Sequence, residues 1–195
     1  MLCKLVTNKQ LVLGLFVLNL VFSIGLKAQN TYSGETYFFG SKLKTNSGIV
    51  VNNAVLYSNI TGYGFDFKSV SNVGFNKKSI TATKPFYFSV KVPEGHYKVN
   101  VLLGGKKPSN TTIKAESRRL MLNQLKLNEK ETKNVSFTIN VRTPEITNNN
   151  RIKIKDRDKN QLNWDNKLTL EFLGTPIIKS ITITPVPHVK TIFLA

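Results

Sequence analysis

The sequence predicts an all-β domain, a β-sandwich of the jelly-roll kind, behind an export signal. Three observations predict it. Apolar and polar residues alternate with period two in several separate runs, as they do in half-buried strands. Val, Ile, Phe and Tyr dominate the apolar set and favour strands, while Gly, Asn, Ser and Thr supply turns. Hydrophobic residues make up 41% of the 195, enough to fill a core and too many for a disordered chain.

The N-terminal segment, residues 1–28, has the secretory pattern. Lys4 and Lys9 give a basic start, residues 11–26 are almost wholly apolar, and Leu26-Lys27-Ala28 puts a small residue at the cut before Gln29. The apolar run is close to the ~17–25 residues of a spanning helix, so an uncleaved anchor is the alternative. With cleavage the protein is expected to be secreted or periplasmic, with no membrane attachment. Cys3 is the single cysteine, so the mature chain carries neither a disulfide nor a cysteine-based metal site.

From residue 29 to 186 the chain reads as one sandwich domain. Residues 37–39, 49–56 and 65–67 are short strands between Gly- and Asn-rich turns. Phe86, Phe88, Val90 and Val92 alternate with Tyr87, Ser89 and Lys91; Pro93-Glu94-Gly95 supplies a turn; Tyr97, Val99, Val101 and Leu103 follow. That pattern predicts a β-hairpin ended by Gly104-Gly105. Residues 111–116 and 119–127 are read as strands, with a helix over 118–125 as the alternative because Leu, Met and Gln form helices well. Val135, Phe137, Ile139 and Val141 make another strand, Ile152 and Ile154 a short one, and Leu168, Leu170 and Phe172 a third. Ile181 and Ile183 precede Pro185 and Pro187. Many short strands between turns argue for a sandwich or jelly roll. Residues 187–195 read as a linker and a new apolar run, Thr191-Ile192-Phe193-Leu194-Ala195, which by itself completes no fold.

The formal charge is +17, so a polyanionic partner is expected from the summed field. For an exported protein an acidic polysaccharide such as pectin fits better than nucleic acid. Basic residues look scattered along the chain, without stacked aromatics or an RNP-like or zinc motif, and nucleic acid is not expected. A solvated, lysine-rich surface is the plain alternative.

From Tyr37 onward the chain resembles the N-terminal β-sandwich module of secreted bacterial carbohydrate esterases of the rhamnogalacturonan acetylesterase type, in which that module precedes an SGNH (GDSL-type) hydrolase domain. The likeness rests on Gly62-Tyr63-Gly64-Phe65, Pro85-Phe86-Tyr87-Phe88-Ser89-Val90 and Pro93-Glu94-Gly95-His96-Tyr97-Lys98-Val99. It continues in Lys114-Ala115-Glu116-Ser117-Arg118-Arg119-Leu120-Met121-Leu122, in Val141-Arg142-Thr143-Pro144, in residues 162–172 around Trp164, and in the terminal Thr191-Ile192-Phe193-Leu194-Ala195. The resemblance implies a galactose-binding-like jelly roll. It also implies that the last run continues, in the family, into the Gly-Asp-Ser nucleophile motif. Here the chain ends one residue before that motif, and the Asp-x-x-His block is absent. No catalytic residue carries over, and the expected partner is a missing C-terminal hydrolase domain.

The inventory of reactive groups agrees. Acyl hydrolysis needs a serine beside a histidine held by a carboxylate. His96 follows a turn and His188 lies in the linker, neither next to a G-x-S-x-G elbow. Asp156 and Asp158 flank Arg157 and supply too few oxygens for calcium. No metal and no cofactor is expected. Sugar binding needs an apolar ring face with polar groups at its rim. The candidates are Trp164, Tyr63 with Asp66 nearby, and the pair Arg118 and Arg119, whose forks suit a uronate carboxylate. Each has a packing alternative: Trp164 as a core anchor, Tyr63 as a packed turn, the arginines as one salt bridge and one solvated charge. The sequence thus leads to a non-catalytic accessory domain of a carbohydrate esterase. A free-standing carbohydrate-binding module and a purely structural scaffold are the alternatives.

Overall fold

The computed structural model describes residues 32–116, 118–147, 149–156, 162 and 164–187. The export signal, His188 and the terminal apolar run lie outside the described residues, as do Ser117, Arg157, Asp158 and Asn163. The described chain is built of strands: β1 (Glu35–Phe39), β2 (Ile49–Val51), β3 (Tyr63–Asp66), β4 (Val73–Phe75), β5 (Ile80–Ala82), β6 (Phe86–Lys91), β7 (Gly95–Gly104), β8 (Ser109–Ala115), β9 (Arg119–Leu127), β10 (Thr132–Val141), β11 (Glu145–Thr147), β12 (Asn150–Arg151), β13 (Lys167–Thr175) and β14 (Ile177–Pro185). A 3-10 turn at Ser69–Asn72 lies between β3 and β4. Residues 119–127 form a strand rather than the alternative helix, because pairing with β8 satisfies their backbone along its length.

Two sheets face each other. One runs β10-β7-β14-β1-β2, with β5 on the end of β14 and β4 beyond it; the other runs β3-β6-β13-β8-β9. The period-two alternation does its expected work in both. Val99, Val101 and Leu103 of β7 and Ile178, Ile181 and Ile183 of β14 point inward from the first sheet. Phe86, Phe88 and Val90 of β6 and Leu168, Leu170 and Phe172 of β13 meet them from the second. Phe39 of the first sheet meets Phe88 of the second edge-on at 5.2 Å across the core, and within the second sheet Phe86 stacks on its cross-strand partner Phe172 at 5.0 Å. Each fully buried ring contributes roughly 1.5–3 kcal/mol by area alone.

One expectation needs correction. The runs before and after Pro93-Glu94-Gly95 are both strands, but they do not form a hairpin. β6 pairs with β3 and β13, whereas β7 pairs with β10 and β14. The turn is a corner that carries the chain from one sheet to the other. Buried Val92 and the bond of its N–H to Asn166 O (3.0 Å) hold the end of β6 in its own sheet until the corner begins. The same crossing recurs between β13 and β14 at Pro176, so at these two points the consecutive strands belong to opposite sheets instead of lying side by side. Ile152 and Ile154 also depart from the reading: the strand there is Asn150–Arg151, a short partner for β11, and Ile152 is exposed.

Candidate functional site on the outer face of the five-stranded sheet

The outward row of the second sheet should be polar, and it is: Tyr87 and Ser89 on β6, and Lys167, Thr169 and Glu171 on β13, with Ser89 opposite Thr169 and Tyr87 opposite Glu171. Unlike an ordinary solvated face, much of this row is covered. Ser89, Thr169 and Glu171 are buried, and so is Glu116, which closes β8. Three neighbouring segments do the covering: residues 55–62, residues 66–72, and residues 164–166 just before β13.

The first segment is placed by a glycine. Gly64 sits at φ 148°, and a Cβ there would meet Tyr57 N at 2.5 Å and Val55 O at 2.7 Å. Without that Cβ, residues 55–57 lie directly on β3, bonded through Tyr57 N–H to Phe65 O (2.9 Å) and Phe65 N–H to Val55 O (2.8 Å). Any side chain at 64 would push Tyr57 away from Lys167.

Lys167 is the hub of the face. Its Nζ lies 2.6 Å from Asp66 Oδ2, with both side chains mostly buried. It also stands 4.8 Å from the centre of the Tyr57 ring and 4.9 Å from that of Phe67, a cation held between two π faces. Asp66 accepts further bonds from Ser89 Oγ (2.9 Å) and from the Phe67 N–H (2.7 Å). Burial works to raise the Asp66 carboxyl, but the bonds from Lys167, Phe67 N–H and Ser89 outweigh it and hold the group below the ordinary aspartate value. Asp165 goes the other way: burial pushes it up, against its bond from Lys167 N–H and the Lys167 charge.

Phe67 is the group the sequence reading missed. The sequence reading took residues 65–67 as one short strand. Instead β3 stops at Asp66, and Phe67 and Lys68 take left-handed backbone, φ 50° and 55°. Side chains avoid that region at a cost of order 1 kcal/mol each. The conformation is fixed from both ends: Asp66 Oδ1 accepts the Phe67 N–H, and Ser69 Oγ donates to Asp66 O (2.6 Å) while accepting the Tyr87 N–H (2.9 Å). The result turns the Phe67 ring outward, 44% exposed, edge-on to Tyr87 at 5.1 Å. Asp66 followed by Ser69 was the available signal, since both side chains compete with strand pairing for backbone partners.

Polar groups frame this ring pair. The Tyr87 hydroxyl donates to Glu171 Oε1 at 3.0 Å. Burial and that carboxylate raise the Tyr87 phenol, and Arg118 opposes them. Among the described residues, Tyr57 Oη and Glu171 Oε2 are buried without a hydrogen-bond partner. Such atoms are costly unless water or a ligand hydroxyl meets them. Glu116 Oε1 accepts the Thr169 N–H (2.9 Å), and Glu116 N–H bonds Thr169 O (3.0 Å). Its carboxyl is pushed up to about 8, chiefly by burial.

The structure therefore brings Asp66, Arg118 and Arg119 to this face. Both arginines are exposed at the β8–β9 turn; the Arg118 charge acts on Tyr87, that of Arg119 on Glu116. Trp164 is half-buried on left-handed backbone, φ 63°, in the loop beside Asp165. Tyr63 is not brought to the outer face: its ring packs on Tyr37 at 5.3 Å, against the core. His96 lies on β7 beside Asn140, whose Nδ2 is 3.5 Å from each ring nitrogen. No group of three or more acidic, His or Cys side chains is placed to hold a metal among the described residues.

No protein-family model matches the chain, and no curated protein matches it significantly in sequence. Solved structures do. The chain is similar to protein YXIM of Bacillus subtilis (TM-score 0.54, 18% identity, 79% of this chain and 40% of that one). It is also similar to a calcium-binding mutant of Bacteroides uniformis β-glucuronidase 2 (TM-score 0.50, 10% identity, 83% of this chain and 19% of that one). A weaker likeness, at TM-score 0.39 and 12% identity, is to a Podospora anserina GH26-CBM35 β-(1,4)-mannanase, covering 82% of this chain and 29% of that one. The chain thus spans well under two thirds of the length of each. At these identities the likeness shows the fold alone, an all-β jelly-roll sandwich.

Proposed function

We propose that this domain is a non-catalytic carbohydrate-binding module of an exported polysaccharide-acting protein, and that it holds sugar on the outer face of its five-stranded sheet. The observation that carries the reading is Phe67. An apolar ring is held outward on strained backbone by three hydrogen bonds, beside a second ring and above a carboxylate and an ammonium. Local strain kept by surrounding bonds is a mark of function. A sugar presents an apolar face to such a ring, and its hydroxyls reach the polar rim. The carbohydrate-active neighbours in fold support the same class. The basic charge supports an acidic glycan of the pectin class, and the likeness to acetylesterase modules supports a hydrolase as the partner domain.

Phe67→Ala is expected to weaken retention on immobilised polygalacturonate by about tenfold, in line with the loss of one stacking ring worth ~1–2 kcal/mol. The thermal midpoint should fall by only about 2–4 °C, because the ring is 44% exposed and its loss removes one of the two faces against Lys167, worth ~1 kcal/mol. Wild-type retention by Phe67→Ala would sink this site. The scaffold reading, favoured by the packed Tyr63 ring, would then take its place. In the same preparation p-nitrophenyl acetate is expected to stay unhydrolysed.

A further inference from the structure

Away from the ring site, four pieces of chain converge at one end of the sandwich around an open cavity of about 720 Å³. Lys77 and Lys78 come from the β4–β5 turn, Lys106 and Lys107 from the β7–β8 loop, Lys130 from the β9–β10 loop and Lys179 from β14. Among the described residues no acidic side chain and no aromatic ring lines it; Ile177 supplies its apolar part. The ion pair at its rim, Lys130 with Glu129 at 3.6 Å, joins two side chains 82% and 60% exposed and is therefore weak. Six like charges converging on one concavity raise the local potential far above that of the same charges spread over a sphere.

The lysines are also set in place by the backbone. The Lys77-Lys78 turn is closed by Asn76 N–H to Ser79 O (2.8 Å) and tied to the β1–β2 connection by Ser41 N–H to Asn76 O (2.8 Å) and Lys42 N–H to Lys77 O (3.2 Å). Gly40 makes that tie possible, since a Cβ there would meet Lys77 O at 2.6 Å. Lys130, on left-handed backbone at φ 65°, is bonded to Gly105 O through its N–H (2.8 Å). Lys179 stands where the β14–β7 register shifts, between Ile178 and Ser180, and a bulge of this kind re-aims a side chain. Like charges gathered by fixed turns repel one another, and an anionic partner relieves that repulsion.

We propose that this basin is a second binding site, one that takes the carboxylates of a polyuronate chain. It goes beyond the ring site and rests on the reading of the domain as glycan-binding only for its choice of polyanion. Lysines act as mobile point charges and suit carboxylates strung along a flexible polymer. Single-stranded nucleic acid would need rings to stack its bases, and the basin has none. A concave cavity also fits a chain better than a flat anionic membrane.

The test compares two variants of the full chain with equal loss of charge. One replaces the basin lysines: Lys77→Gln, Lys78→Gln, Lys106→Gln and Lys107→Gln together. The other replaces four lysines outside the basin: Lys84→Gln, Lys98→Gln, Lys153→Gln and Lys155→Gln. Retention is measured on polygalacturonate, neutral galactan, single-stranded DNA and phosphatidylserine vesicles. Wild-type binding to polygalacturonate should be present at about 0.01 M salt, where screening reaches ~30 Å, and lost near 1 M, where it reaches ~3 Å. The basin variant should lose about tenfold or more in affinity for polygalacturonate, the other variant less than about twofold, and galactan binding should not change. Equal losses in both variants, or none in the first, overturn the proposal. So does a basin-dependent preference for DNA or vesicles. Phe67→Ala separates the two sites: if it alone weakens retention, the basin fails and the ring site stands; if the basin variant alone weakens it, the reverse holds.

Discussion

Asp66→Ala is expected to destabilise the domain by about 3 kcal/mol, because it leaves the Lys167 ammonium mostly buried without its counter-charge. For a domain of this size that lowers the thermal midpoint by roughly 6–12 °C. The loss exceeds that of an exposed ion pair, commonly ~0–1 kcal/mol. Lys167 here is enclosed by Tyr57 and Phe67 and cannot turn to solvent without leaving both rings. Asp66→Asn keeps the Oδ1 acceptor of the Phe67 N–H and should cost less, although the amide nitrogen in place of Oδ2 accepts from neither Ser89 nor Lys167. In the double variant Asp66→Ala with Lys167→Met, most of the stability should return, since no unpaired charge remains. If instead the two single losses simply add, the pair is not coupled and the hub described above is wrong. The pH dependence has a definite sign. The Asp66 carboxyl lies below its ordinary value in the folded protein, so its contribution is full above that ordinary value, ~3.9, and is lost as pH falls through the lower folded one.

Glu116→Gln should do the opposite: stabilise, and only at higher pH. The folded carboxyl is raised from 4.5 to about 8 by burial. Between those values the native state binds more protons than the unfolded chain, so stability falls as pH rises through that window and levels off above it. Glutamine keeps an oxygen for the Thr169 N–H and has no proton to lose. Melting curves from pH 4 to pH 9 should therefore coincide near pH 4 and diverge upward, with the variant several degrees more stable at pH 8–9. A variant less stable than wild type at pH 9 would mean that the ionised carboxylate is the form the fold uses. Asp66 and Glu116 together predict a stability maximum in mildly acidic solution.

The main strands were legible because apolar and polar side chains alternate along them. Phe86, Phe88 and Val90, or Leu168, Leu170 and Phe172, alternate with polar neighbours, and that pattern survives whichever strand lies beside it. Pairing was not legible. Pro93-Glu94-Gly95 fits a hairpin turn and a sheet-crossing corner equally well, and only the partners of β6 and β7 distinguish them. At the site, Asp66 was found because it sits beside a turn. Phe67 escaped because two left-handed residues break the alternation just where periodicity would turn its ring inward. Lys77-Lys78 and Lys106-Lys107 are visible as doublets but look scattered; their meeting with Lys130 and Lys179 is set by loops far apart in sequence.

The most direct measurement is a titration of the isotope-labelled protein with an acetylated oligogalacturonide, followed by NMR of both molecules. The expected result is saturable shifts at Phe67, Tyr87 and Lys167 and at the basin lysines, with the sugar's acetyl signals unchanged over hours. Free acetate appearing in the spectrum, or protein signals that stay fixed at every sugar concentration, would contradict a domain that binds glycan and leaves it intact.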